Sequence, residues 1–342
     1  MSFKQLQVND KVVSTDSITG TVWSANLTTL NLFFTSSGQA GGNTGEFYTH
    51  VYNTQSSFET ADVQFDIAYC DKDGSGSLFY NDQVTGSSPT RTNYGQYQNL
   101  VLGDETKEFV FGNYTGSYFY ALSIERARYK QKLLPGTMTL NMSGAAAGLG
   151  EISLTDNSKN VTTTTFNEAG RVYQLVSGSA GTVYTTDDAN GYSNGFGSYG
   201  FFLPDISTIL VNGAAIDGNA AARGISAGTT RTFDTNTTNS QLLLRHLSAS
   251  NSWLVNSEEN ISSDFIFIRA QNNEFNFSSN PSFISGSTGA LLHDSMLNNP
   301  QTFITTIGLY NASNELLAVA KLSRPLVKDY TKELLVRVKL DY

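Results

Sequence analysis

The stretch Asp71-Lys-Asp-Gly-Ser-Gly-Ser-Leu-Phe-Tyr-Asn-Asp82 holds the best match to a chemical motif in the chain. Oxygen-bearing side chains at loop positions 1, 3 and 5 (Asp71, Asp73, Ser75), Gly76 at position 6 and Asp82 at position 12 follow the spacing of an EF-hand calcium loop, whose turning backbone brings each oxygen to one centre. Two departures count against calcium. The last position is Asp where the motif's bidentate ligand is Glu, and residues 62–69 alternate as a strand where the motif needs a helix. The competing reading is a Gly/Ser-rich hairpin turn, and no cofactor is expected. Asp187-Asp188 and Glu258-Glu259 could suggest glycan hydrolysis, but neighbours in an extended segment point to opposite faces and cannot form the required pair alone. His50, His246 and His293 are isolated, and with Cys70 the only cysteine no zinc spacing can be built. Ser75 and Ser177 have Gly nearby only in loops, so no nucleophile elbow is present and no catalytic residue is assigned. Asn-x-Ser/Thr occurs at Asn26, Asn113, Asn141, Asn160, Asn236, Asn260, Asn276 and Asn311, triplets that an Asn/Thr/Ser-rich composition generates freely.

Those residues must be carried by β-structure. Only 15% of the chain is charged, against roughly 25% in ordinary soluble domains, yet 21 Phe and 17 Tyr rule out disorder from low hydrophobicity. The net charge is −9. Residues 314–342 hold six Lys/Arg against four Asp/Glu, a local balance of +2 that leaves −11 on the first 313 residues. An acidic balance argues against nucleic acid and against an anionic membrane surface, and no apolar run approaches the ~20 residues of a spanning helix. The start Met-Ser-Phe-Lys-Gln-Leu lacks a signal-peptide core, so folding in a reducing cytoplasm is expected.

The C-terminal forty residues give the clearest pattern, a β-meander. Phe303, Ile307 and Leu309 share one side of a pleat, Asn311-Ala-Ser-Asn314 supplies a turn, and the chain returns through residues 315–322. After Pro325, the residues Leu334, Val336, Val338 and Leu340 alternate with Leu335, Arg337, Lys339 and Asp341, which marks the first four as core or assembly positions. Earlier segments alternate in the same way, notably 62–69, 107–112 and 117–124, while residues 81–98 read as a polar stretch and 125–132 as a short helix or a polar continuation of the preceding strand. Helical spacing is found only at residues 204–210 and at 241–247, the latter capped by Asn239 or Ser240. The expected fold is all-β, with two or three β-sandwich-like domains and short helices. The expected domains are residues 1–134 and 135–342, divided at the Pro135-Gly136 turn, with a possible internal boundary near 213–239.

Residues 118–137 (Tyr-Phe-Tyr-Ala-Leu-Ser-Ile-Glu-Arg-Ala-Arg-Tyr-Lys-Gln-Lys-Leu-Leu-Pro-Gly-Thr), with 265–283, 299–310 and 316–325, resemble virion structural proteins of large contractile-tailed bacteriophages, including those infecting marine cyanobacteria. The resemblance spans about residues 60–140 and 260–342. It implies a non-enzymatic tail or baseplate subunit that joins other virion proteins in a homo- or hetero-oligomer, assembled in the host cytoplasm and located in the virion. It also implies that the acids of the 71–77 turn are not a family feature. A receptor-binding or adhesin protein at the tail tip, and then a glycan-degrading tail enzyme, are the alternatives.

Overall fold

The computed structural model describes residues 4–35, 47–75, 88–112, 114–143, 151–184, 198–216, 234 and 236–341. Strands take 46% and helices 17%, so the architecture is all-β. Contacts divide the chain into Ile18–Glu259 and a second unit made of Met1–Ser17 with Asn260–Tyr342. The expected boundary after residue 134 does not coincide with this division: Tyr118–Ile124 and Thr208–Asn212, from either side of it, are hydrogen-bonded neighbours.

In the 18–259 unit one long antiparallel sheet runs in the order Thr29–Leu30, Trp253–Leu254, Thr139–Ser143, Glu151–Asp156, Gly170–Ser179, Gly200–Leu203, Thr208–Asn212, Tyr118–Ile124, Val63–Asp71 and Thr49–Tyr52. It curls far enough that Trp253, one strand from the first edge, packs edge-on against Phe65 of the penultimate strand at 4.7 Å between ring centroids. Residues 30–34 join the two edges, since Leu30 pairs with Trp253 and Phe34 bridges to Tyr52. Residues 62–69 were expected to bury one side only. Both sides are buried: Phe65, Ile67 and Tyr69 enter the inner core, and Ala68 and Cys70 a second apolar layer outside it. Tyr118–Ile124 does the same with Tyr120, Leu122 and Ile124 inward and Phe119 and Ala121 outward.

Two longer helices among the described residues cover this sheet, besides the single turn Gly213–Ile216. Asn236–Ser250 begins three residues before the expected cap because Asn236 is itself buried, its carbonyl oxygen accepting from Tyr69 N at 2.7 Å, and Leu243 and Leu247 seal the inner core. Pro89–Tyr97 occupies the stretch expected to be merely polar; Ser88 caps it by accepting from Arg91 N, Pro89 stands in the first turn, and Tyr94 joins the outer layer. The helical turn expected at 204–210 is only a 3-10 turn, Pro204–Ile206, because Ser207 turns left-handed and Thr208–Asn212 goes on as a strand buried on both faces. The 125–132 segment holds a 3-10 turn, Arg126–Arg128. At Gly200 (φ +144) a Cβ would lie 1.8 Å from the Leu210 carbonyl oxygen, so that strand pair requires glycine.

The 260–342 segment is built differently. Leu334–Asp341 pairs antiparallel with Asn256–Ala270 from Ser263↔Asp341 to Ala270↔Leu334. The turn at residues 311–314 forms the expected hairpin between Thr302–Tyr310 and Leu316–Lys328, but the last strand leaves that hairpin for the other partner. A register shift between Ile304 and Thr306 changes the phase, so Ile304, Ile307 and Leu309 share the half-buried side and Phe303 is exposed.

Candidate functional site

The Cα pairings place four polar residues in one row across adjacent strands of the 18–259 sheet: His50 opposite Asp66, Asp66 opposite Ser123, Ser123 opposite Thr208. Their strand neighbours Phe65, Leu122 and Ile209 point into the inner core, so the row faces outward. His50 Nδ1 lies 2.6 Å from Asp66 Oδ1. Burial pushes the Asp66 carboxyl above its ordinary value, against the opposing pull of His50. Thr208 donates its hydroxyl proton to the Ile206 carbonyl at 3.1 Å, and a carbonyl can only accept. The Ser123 hydroxyl must therefore donate to Thr208, and the Tyr97 hydroxyl to Ser123, each at 3.1 Å.

A cavity of about 540 Å³ stands over the Asp66, Ser123 and Thr208 part of this row, with Phe47, Tyr48, Tyr97 and Leu100 among its walls. Asn93, on the Pro89–Tyr97 helix, spends both amide protons on the carbonyls of Phe47 (2.6 Å) and Tyr69 (3.2 Å), tying the helix to the start of the Thr49–Tyr52 strand. Burial also pushes the Tyr97 phenol up, so it remains protonated. The His50–Asp66 pair has the first two parts of a nucleophilic triad, but the third is missing: Ser123 gives its proton to Thr208, and no described hydroxyl is hydrogen-bonded to the other His50 nitrogen. The arrangement can bind. Among the described residues none is an activated nucleophile beside it.

The residues singled out in the sequence lie elsewhere. Asp71 is fully buried, with one oxygen accepting from Tyr69 OH at 2.7 Å and the other from Asp73 N at 2.9 Å, while Ser75 N and Oγ donate to Asp234. Asp82, Asp187 and Asp188 lie outside the described residues, among which no group of His, Cys, Asp and Glu side chains is gathered to hold a metal. Glu258 stands 3.6 Å from Lys132 and 3.7 Å from Arg171; Arg171 also grips Asp205 through its side chain and backbone N–H, lowering that carboxyl against the effect of its burial. His246 donates from Nδ1 to the Ser143 carbonyl at 2.9 Å, and burial lowers its pKa. His293 is exposed and Ser177 is buried in a strand. Leu334, Val336 and Leu340 are half-buried and Val338 buried, on the side away from exposed Leu335, Arg337 and Lys339, as their alternation requires.

The row from His50 to Thr208 was missed because its members are 16, 57 and 85 residues apart in pairing order. One link is local: Thr49–Tyr52 and Val63–Asp71 are neighbouring antiparallel strands that set His50 opposite Asp66. No family model, no curated protein and no solved structure matches this chain.

Proposed function

We propose that this chain is a non-enzymatic structural subunit that works by assembly, and that the 260–342 segment is where neighbouring subunits complete its fold. The observation that carries this reading is where burial is missing. Of the 46 buried apolar residues described, only Ile266, Ala270, Phe283 and Val338 belong to the unit containing residues 260–342, and none joins a core cluster. Among the described residues its hairpin Thr302–Tyr310/Leu316–Lys328 pairs with no third strand and leaves Phe303, Tyr310, Leu316, Leu317 and Val319 exposed. A lone two-stranded sheet is marginal in water, and an open apolar edge is a site for pairing with another chain. Tyr310 lies over Gly308 beside Leu316, so the exposed face is preformed. Lys328 anchors its base, spending its three protons on the Asn272 and Asp329 carbonyls and on Asn276 Oδ1 at 2.7–3.0 Å.

The finer reading, a tail or baseplate protein of a contractile-tailed phage, is supported by the resemblance of residues 118–137, 265–283, 299–310 and 316–325. A Leu317→Ser/Val319→Ser double variant tests it. The variant keeps the wild-type circular dichroism and melting temperature but is not incorporated into purified phage particles, in which the wild-type chain is present in whole-number copies. Absence of the wild-type chain from particles, or full incorporation of the variant, overturns the reading.

A further inference from the structure

We infer that the cavity over Asp66, Ser123 and Thr208 binds an organic cation bearing several N–H donors, an alkylammonium or guanidinium group, either free or at the end of a Lys or Arg side chain. The inference stands on where the protons go. Thr208, Ser123 and Tyr97 pass theirs down a one-way chain that ends on the Ile206 carbonyl. Asn93 has spent both of its amide protons on carbonyls. What these groups leave for a ligand is acceptors: the second Asp66 oxygen, the Tyr97 phenolic oxygen and Asn93 Oδ1. A ligand seated against these inner groups must donate at several points, since the cavity's remaining donors, the Tyr48 hydroxyl and the Gln96 amide, are on exposed residues.

Charge selects the same class. Asp66 is a partly desolvated carboxylate whose nearest cationic candidate is His50, so an anion is repelled and a cation relieves the cost of burial. A sugar hydroxyl donates and accepts in equal measure, and on this wall only the exposed Tyr48 hydroxyl and Gln96 amide could meet its acceptor capacity, while the Asp66 charge would gain nothing from it. Phe47 and Leu100 offer an apolar surface for the ligand's alkyl stem, and the half-exposed Tyr48 ring an aromatic face for its charge.

Calorimetric titration of the full chain with butylguanidinium, with agmatine and with the neutral isostere butylurea tests this. Both cations bind saturably at one site and butylurea binds at least about tenfold more weakly, the size expected for a charge-assisted hydrogen bond worth about 1.5–3 kcal/mol. Asp66→Asn, checked for unchanged circular dichroism, weakens the cations by about 10- to 100-fold, and Tyr97→Phe, which keeps the ring and removes only the oxygen, by a smaller factor. Nα-acetyl-arginine methylamide separates the sources: affinity equal to butylguanidinium assigns the site to a partner's side chain, and exclusion assigns it to a free cation. Equal affinity for butylurea, undiminished binding by folded Asp66→Asn and Tyr97→Phe variants, no saturable binding by the wild type, or binding of calcium chloride in place of the amines each overturns the inference.

Discussion

Two strands of similar length show how differently the two parts of this chain are held. Tyr118–Ile124 lies between strands on both sides and buries both its faces, with Phe119, Tyr120, Ala121 and Leu122 all closed to solvent. Leu334–Asp341 has one strand partner and one half-closed face, on which only Val338 is buried. Both are apolar enough to be strands. What separates them is the second layer: the first has an inner core on one side and the layer of Tyr94, Phe109 and Phe111 on the other. Among the described residues the second joins neither core cluster. Burial at roughly 25 cal/mol per Å² is the dominant favourable term in folding, so a strand without a second layer gains far less from it, which is the gap the proposed assembly would fill.

The contrast can be broken from the core side first. Trp253→Ala removes the ring that contacts both Trp23 and Phe65 and should cost about 3–5 kcal/mol, enough to unfold the 18–259 unit in a denaturant titration. A native-like midpoint would deny that the curled sheet closes on this cluster. The same chemical change made in both places sharpens the contrast: Leu122→Ala, at a fully buried position, should cost about 2–5 kcal/mol, and half-buried Leu340→Ala about 1 kcal/mol or less in the isolated chain. Equal losses would mean that the C-terminal sheet already owns a core.

Acid provides a smaller and more local perturbation. The Thr331 hydroxyl, the Lys332 ammonium and the Thr331 backbone N–H hold the Asp329 carboxyl down from 3.8 to about 2, and the Ser263 hydroxyl, followed by Lys339, lowers Asp341. A depressed carboxyl stabilises fully above its unfolded value and loses that contribution as pH falls through the folded one. Between pH 4 and 2 the 260–342 segment should therefore lose protection, and Asp329→Asn should flatten that loss. The Asp66 shift has the opposite sign: raised by burial, it favours the protonated form, so acid does not remove stability through that group.

The sequence patterns that proved readable are those whose cause is local. Alternation from Leu334 to Leu340 and the turn at Asn311 follow from pleat geometry and turn chemistry, and both are present. The Pro89–Tyr97 helix escaped because Thr90, Arg91, Thr92 and Asn93 give no apolar period; its signal was the cap, Ser88 followed by Pro89. Phe303 faces away from its expected side because a register shift is set by the partner strand, which the order of residues 302–310 does not encode. The Asp66 row is four strands wide, and only the register of each pair reveals it. Asp71 has the spacing of a calcium ligand, and what the sequence did not show is its burial at the strand end, with its oxygens accepting from Tyr69 OH and Asp73 N.

Backbone hydrogen exchange, read by mass spectrometry on the purified chain alone and again in the proposed assembly, tests the central claim most directly. Amides of Val63–Asp71, Tyr118–Ile124 and Thr208–Asn212 should exchange slowly in both states, opening only with global unfolding. Those of Thr302–Tyr310, Leu316–Lys328 and Leu334–Asp341 should exchange at least about tenfold faster in the free chain and become protected on assembly. Equal, slow exchange of both groups in the free chain would contradict the claim, because it would show that the C-terminal strands are complete without a partner.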